Sequence, residues 1–245
     1  YQYAVAIDEK FDFAYRNMGD AYIRLRKYKD AIEVLEKVLE LSRPEDVIYE
    51  AIGHCYDKLK KYPQARQYYR KATHMNPEDS QLYFKIACTY MNEGVWDSAI
   101  KNLLNATRIH RLQPEYNLAL GQCYMETGKI EEAIQYFGNV VRYRPKNMNG
   151  WIELLKCLFQ VGCFEEGLEY SDHAFEATGG KPVFVIYKSA FLLALGRSKE
   201  AMLQLEIAME KNPKLIKKLT ELNPSILQNQ AVVELVARYK KRKSI

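Results

Sequence analysis

Four histidines, five cysteines and several adjacent carboxylates are the side chains through which this chain could bind a metal or move a proton. His54, His74, His110 and His173 lie too far apart to give a ligand pair at helical spacing, and none follows a metal motif. Cys55, Cys88, Cys123, Cys157 and Cys163 contain no Cys-x-x-Cys pair, and an odd count cannot close into a full disulfide set. Glu131-Glu132 and Glu165-Glu166 could act as paired acids. Both pairs fall where a helix should begin, however, and the helix dipole favours negative charge there. There is no phosphate-binding Gly-rich loop and no nucleophile elbow. Gly179-Gly180 falls between two periodic segments, where a helix should simply end. These residues predict no catalytic group, no metal site and no cofactor.

The elements that would carry such residues repeat. Tyr90, Gly94, Ala99 and Ala106 recur 34 positions on as Tyr124, Gly128, Ala133 and Val140. They recur 34 positions back as Tyr56, Lys60, Ala65 and Ala72, with only the glycine changed. Gly94, Gly128, Gly162 and Gly196 keep the same spacing, and Pro77, Pro145 and Pro213 keep twice that spacing. A fixed period in this range marks a solenoid with one helical hairpin per repeat. Units are expected at 12–45, 46–79, 80–113, 114–147, 148–181 and 182–215. Within the second, Tyr49, Ile52, Gly53 and Tyr56, then Ala65, Tyr69 and Ala72, form apolar stripes with the helical period. Cys55, Cys123 and Cys157 share one slot, held elsewhere by Ala21, Thr89 and Phe191, and read as small buried apolar residues. Free thiols point to a reducing compartment, so a cytoplasmic location is expected.

Composition limits the function classes. The 245 residues are 48% hydrophobic with a net charge of +5. From Ile216 onwards seven Lys and Arg face Glu221 and Glu234, so 36 − 7 and 31 − 2 leave 29 of each sign in residues 1–215. A charge-balanced array lacks the basic stripe that phosphate neutralisation needs, and nucleic acid is not the expected partner. No apolar run reaches the roughly 18 residues of a membrane span. No signal peptide is visible, although the chain opens Tyr1-Gln2-Tyr3 without methionine, so a leader stays open.

The repeat resembles the tetratricopeptide repeat. Its pattern reads Tyr15, Met18, Gly19, Tyr22, Ala31 and Leu35 in the first unit. In the fourth it reads Asn117, Leu120, Gly121, Tyr124, Ala133, Phe137 and Pro145. The resemblance covers residues 12–215 and implies an all-α fold, a right-handed α-solenoid (superhelix) of helical hairpins closed by a C-terminal capping helix. Residues 1–11 look like the second helix of a preceding repeat, with Tyr1 and Ala4 in the phase of Tyr69 and Ala72. That half-repeat implies a longer array and offers an end for self-association.

Two places depart from the pattern. The fifth unit has Leu155 where others have Gly or another small residue, and Gly167 where others have Ala. The family's hairpin implies that these slots face each other, so Leu155 is expected to pack over Gly167. Beyond Leu215 the period fails, and residues 216–245 read as capping helices and a basic tail, Lys240-Lys241-Arg242-Lys243. Ser225 and Gln228 are expected to form a capping box opening the last helix, with Val232, Val233, Val236 and Tyr239 on its apolar face.

The resemblance also implies a binding face. First helices of the family line the concave side, which here selects Asn17, Asp20, Arg24, Glu50, His54, Lys58, Lys85, Asn92, Gln122, Glu126, Glu153 and Lys156. Among them stand Phe84, Met91, Met125, Phe159 and Tyr187. Polar groups of mixed sign interleaved with apolar anchors suit an extended or helical peptide. The clamp with which some relatives grip a terminal carboxylate is not expected, because Asp20 would repel one. The predicted function is a non-catalytic scaffold binding a protein or peptide. The alternative is a docking or regulatory arm of a larger protein whose catalytic domain lies elsewhere.

Overall fold

The computed structural model describes residues 12–242, with side chains through residue 239. The half-repeat expected at residues 1–11 lies outside them, as do the side chains of Lys240, Lys241, Arg242 and Lys243. Among the described residues the regular structure is helical, without strands. The chain divides into two compact units, Tyr1–Thr127 and Gly128–Ile245. Each is a run of consecutively packed hairpins, the local arrangement of an α-solenoid.

The first unit contains α1 (Asp12–Arg24), α2 (Tyr28–Leu41), α3 (Asp46–Lys58), α4 (Tyr62–Met75), α5 (Ser80–Asn92), α6 (Trp96–Ile109) and α7 (Pro114–Glu126). The second contains α8 (Ile130–Tyr143), α9 (Met148–Gln160), α10 (Phe164–Ala177), α11 (Pro182–Ala194) and α12 (Ser198–Lys211). After a short 3-10 turn come α13 (Ile216–Leu222), a second 3-10 turn (Pro224–Gln228) and α14 (Gln230–Arg242).

The recurrent glycine has a conformational cause. Gly94 lies in the left-handed region (φ 71°). Its N–H donates to the Met91 carbonyl at 3.1 Å and the next N–H, of Val95, reaches back to Tyr90 at 3.0 Å. This closes α5 as a Schellman cap, for which a residue without Cβ is the favoured solution. Lys60 takes the same conformation (φ 58°) at the end of α3. A side chain there costs about 1–2 kcal/mol.

Close helix approach explains the small residues. A Cβ on Gly19 would stand 2.6 Å from Leu35 and one on Gly53 would stand 2.7 Å from Tyr69. Leu35 and Tyr69, each 1% exposed, thus fill the space that glycine leaves across their hairpins. Burying a side chain of this kind contributes about 1.5–3 kcal/mol. Between hairpins, Ala31 shares a core with Cys55 of the next one.

The same two relations correct the expectation for the fifth hairpin. A Cβ on Gly167 would meet Phe191 of the following hairpin at 2.1 Å, so the side chain over Gly167 is Phe191 and not Leu155. Gly167 and Phe191 occupy the slots that Ala31 and Cys55 hold earlier in the chain. Leu155 belongs to the other relation, in which Gly19 meets Leu35. There the fifth hairpin places buried Leu155 opposite the slot of buried Ser171, large and small exchanged. The Ser171 hydroxyl is satisfied by donating to the Gly167 carbonyl at 2.7 Å.

The C-terminal cap also differs from expectation. Asn223 Oδ1 accepts from the Ser225 N–H at 3.2 Å and from its hydroxyl at 2.6 Å, so Ser225 is engaged in the 3-10 turn. The final helix is capped instead by Asn229, whose Oδ1 accepts from Ala231 at 3.1 Å and Val232 at 3.4 Å. Its buried face is Val232, Leu235 and Tyr239, with Val236 partly buried, packed on Leu205, Ala208 and Met209 of α12. Val233 is 43% exposed and lies outside that face.

Candidate functional site

In the first unit the selected residues fall on the first helices of the hairpins. On α1, Asn17 donates to the Phe13 carbonyl at 2.9 Å, so its amide is engaged with its own helix, while Asp20 and Arg24 are exposed. Glu50, His54 and Lys58 stand four residues apart on α3, which puts them on one face. Lys85 of α5 forms an ion pair with Glu50, with about a third of each side chain exposed. His54 meets the Tyr28 ring edge-on at 6.3 Å. Burial, and then the charges of Lys58 and Lys85, hold its pKa below the ordinary histidine value. Phe84 rests on Tyr116 of α7 at 5.0 Å. Met91 and Met125 are half-buried beside exposed Asn92, Gln122 and Glu126.

The second unit carries four of the selected residues. Glu153 and Lys156 pair along α9 at 2.8 Å. Phe159 is held between Phe164 at 5.4 Å and Phe191 at 5.5 Å and is half-buried. Tyr187 is 1% exposed, which removes it from any accessible surface. The capping helix α13 packs on α11, and Glu221 of α13 acts on the Tyr187 hydroxyl, whose pKa burial raises first. The sequence period carries no sign of this cover because α13 lies outside the repeat.

Sequence reasoning missed the partners that tie successive hairpins together. The Tyr68 hydroxyl donates to Glu36 at 2.7 Å while its ring stacks on Tyr56 at 5.5 Å. Arg66 pairs with Glu93 and lies 4.2 Å from the Tyr90 ring centre. Ser80 Oγ is 2.8 Å from His110 Nδ1 and 3.0 Å from the Tyr116 hydroxyl. Ser80 and Tyr116 are buried, so their hydroxyl contact joins the starts of two hairpins, whereas exposed His110 ties Ser80 to the end of its own hairpin. Glu36, Glu93, Tyr90 and Tyr116 each lie in the repeat next to their partner, where spacing within one repeat gives no signal.

All five cysteines are free, but they are not alike. Cys55, Cys123 and Cys157 are buried as expected, and Cys163 is exposed. Burial pushes the thiol pKa to about 11 for Cys55 and about 12 for Cys123 and Cys157, far from the thiolate form. No group of three or more His, Cys, Asp or Glu among the described residues could hold a metal ion. No helix of the described residues is long and apolar enough to cross a membrane.

Helical hairpins stacked in sequence, with charged first helices, define a repeat protein of the all-α class. The comparisons are specific about which repeat. A family model described as the Tetratricopeptide repeat protein 21 C-terminal ARM domain matches residues 1–118. The Tetratricopeptide repeat model matches residues 114–147. Both models are of tetratricopeptide-repeat proteins, and between them they match residues 1–147. No curated protein matches it significantly. Among solved structures it is similar to the C-terminal part of a TPR repeat-containing protein from Cytophaga hutchinsonii, at TM-score 0.71 and 19% identity, covering 90% of this chain and 86% of that one. It is also similar to YrrB, titled a TPR protein with an unusual peptide-binding site, at TM-score 0.63 and 16% identity, covering 78% and 99%. A third similar structure is pilF of Pseudomonas aeruginosa, at TM-score 0.59 and 17% identity, covering 87% and 98%.

Proposed function

We propose that the chain is a non-catalytic scaffold that binds a peptide segment of another protein on the first-helix face of its hairpins. The observation that supports this reading is the Glu50–Lys85 pair, half-exposed between two successive first helices, with exposed Lys58, Gln122 and Glu126 on first helices of the same unit. Phe84, Met91 and Met125 lie partly uncovered on the same first helices. Charged groups that retain solvent access can exchange partners, and flexible methionines adapt to different side chains. The fold is shared with a protein titled as peptide-binding, which supports the reading without supplying the ligand.

The test begins with selection of peptides from a displayed random library on the immobilised 245-residue chain. Selected peptides are then titrated by fluorescence anisotropy against the wild type and Lys85→Glu. Reversing that charge places two carboxylates side by side and is expected to weaken binding about tenfold, the equivalent of roughly 1.4 kcal/mol. Unchanged affinity for every selected peptide would overturn the assignment of this face.

A further inference from the structure

On the opposite, second-helix side, the sixth hairpin breaks a rule that the other five obey. Two slots of the second helix are polar in every earlier unit. They hold Glu33 and Lys37, Gln67 and Lys71, Lys101 and Asn105, Gln135 and Asn139, then Glu169 and His173. In α12 the same slots hold Leu203 and Ile207, which are 57% and 40% exposed. The capping helix does not cover them, because α14 packs on Leu205, Ala208 and Met209, which lie on the other side of α12.

These two residues form one wall of a groove between α10 and α12, floored by α11. The groove holds two adjoining hollows of about 220 and 240 Å³ that share Asp172, Lys188 and Gln204. Leu168 and Phe175 of α10 form the opposite wall. Lys188 reaches up from the floor to both Asp172 oxygens, at 2.6 and 2.8 Å, so its charge is already matched.

The rim tells which partner suits this groove. Helix α10 carries Glu165, Glu166, Glu169, Asp172 and Glu176 and contains no Lys or Arg. Glu165, Glu169, Asp172 and Glu176 follow one another at helical spacing along the edge of the groove. Asp172 is matched by Lys188, and Arg197 of the facing wall pairs with Glu200 and acts on Glu165. Lys211 is the only other cation of the lining, so the exposed Glu169 and Glu176 leave that edge negative on balance.

We propose that the groove between α10 and α12 docks a basic amphipathic helix of a separate partner protein. Its apolar face enters the two hollows against Leu203, Ile207, Leu168 and Phe175, and its Lys or Arg side chains lie along the α10 glutamates. The groove runs for about three helical turns, the length over which i, i+3, i+4 and i+7 anchors can seat. This surface goes beyond the first-helix site and binds independently of it.

The probe is a fluorescein-labelled 14-residue amphipathic helix of leucine and lysine, titrated against the full chain by anisotropy, with its leucine–glutamate counterpart as control. The lysine peptide is expected to bind and the glutamate peptide to bind at least tenfold more weakly. Leu203→Gln with Ile207→Asn restores the residue types of the other repeats at exposed positions and is expected to weaken the lysine peptide at least tenfold. Glu169→Lys with Glu176→Lys should invert the preference, so that the glutamate peptide becomes the tighter ligand. Lys85→Glu should change neither affinity, which keeps failure here distinct from failure of the first-helix site. Equal binding of the two peptides, absence of binding, or indifference to Leu203→Gln with Ile207→Asn would overturn the proposal. A light-scattering mass that rises with concentration, and is lost in that same double variant, would assign the groove to a second copy of the chain and overturn it equally.

Discussion

At Gly167 a single methyl group would enter the Phe191 ring, with 2.1 Å between the new carbon and Cε1. Helix propensity alone favours Gly167→Ala by about 0.5–1 kcal/mol. Overpacking opposes it by about 1–3 kcal/mol, because Phe191 is 0% exposed and cannot swing into solvent. Urea denaturation should therefore show Gly167→Ala destabilised in the wild-type background. With Phe191→Cys, which recreates the alanine and cysteine found at residues 31 and 55, the same change should become neutral or stabilising. Equal cost in both backgrounds would show that the glycine answers to something other than Phe191. The cysteines allow a second test at this scale. Exposed Cys163 should react promptly with a thiol reagent at pH 8, whereas Cys55, Cys123 and Cys157 should wait for unfolding. Early loss of more than two thiols in the folded chain would contradict their burial.

Helix ends decide the behaviour of single elements. The last helix starts one residue after Asn229, whose side chain accepts from two orphan amides. Removing such a cap costs about 0.5–2 kcal/mol, so Asn229→Ala should lower the unfolding midpoint measurably. Gln228→Ala, at the other end of the box expected from sequence, should stay within about 0.5 kcal/mol of wild type. The reverse order of effects would restore that box. The motif Ser225 to Gln228 was legible but misleading. Asn223, two residues upstream, takes the Ser225 hydroxyl at 2.6 Å and turns those residues into a 3-10 segment. A local pattern cannot show which of two neighbouring side chains wins one donor.

Across the whole molecule, charge is distributed so that the repeats balance and the surplus lies after Ile216. Affinity for nucleic acid at low salt should therefore be weak, and should disappear when Lys240, Lys241, Arg242 and Lys243 are all changed to Gln. Filter binding of a random single-stranded RNA measures this; tight binding that survives those changes would mean that the repeats themselves hold phosphate. Both proposed faces, by contrast, depend on local contrasts in charge and apolarity that net charge does not register. The first-helix residues were selected from repeat position alone, and the structure sorts them. It keeps Lys85 and Glu50 as a surface pair, holds Phe159 between two rings and buries Tyr187 under α13.

The amino-acid sequence by itself determined the hairpin repeat, its period and its helical class, because each repeat buries a stripe whose spacing is set by local helix geometry. Tertiary structure alone decided which slots meet: Gly167 with Phe191, Tyr68 with Glu36, Leu203 and Ile207 with nothing of the cap. Those contacts join different hairpins, and the distance between two helices depends on the volumes at their crossing rather than on the order of residues along either one.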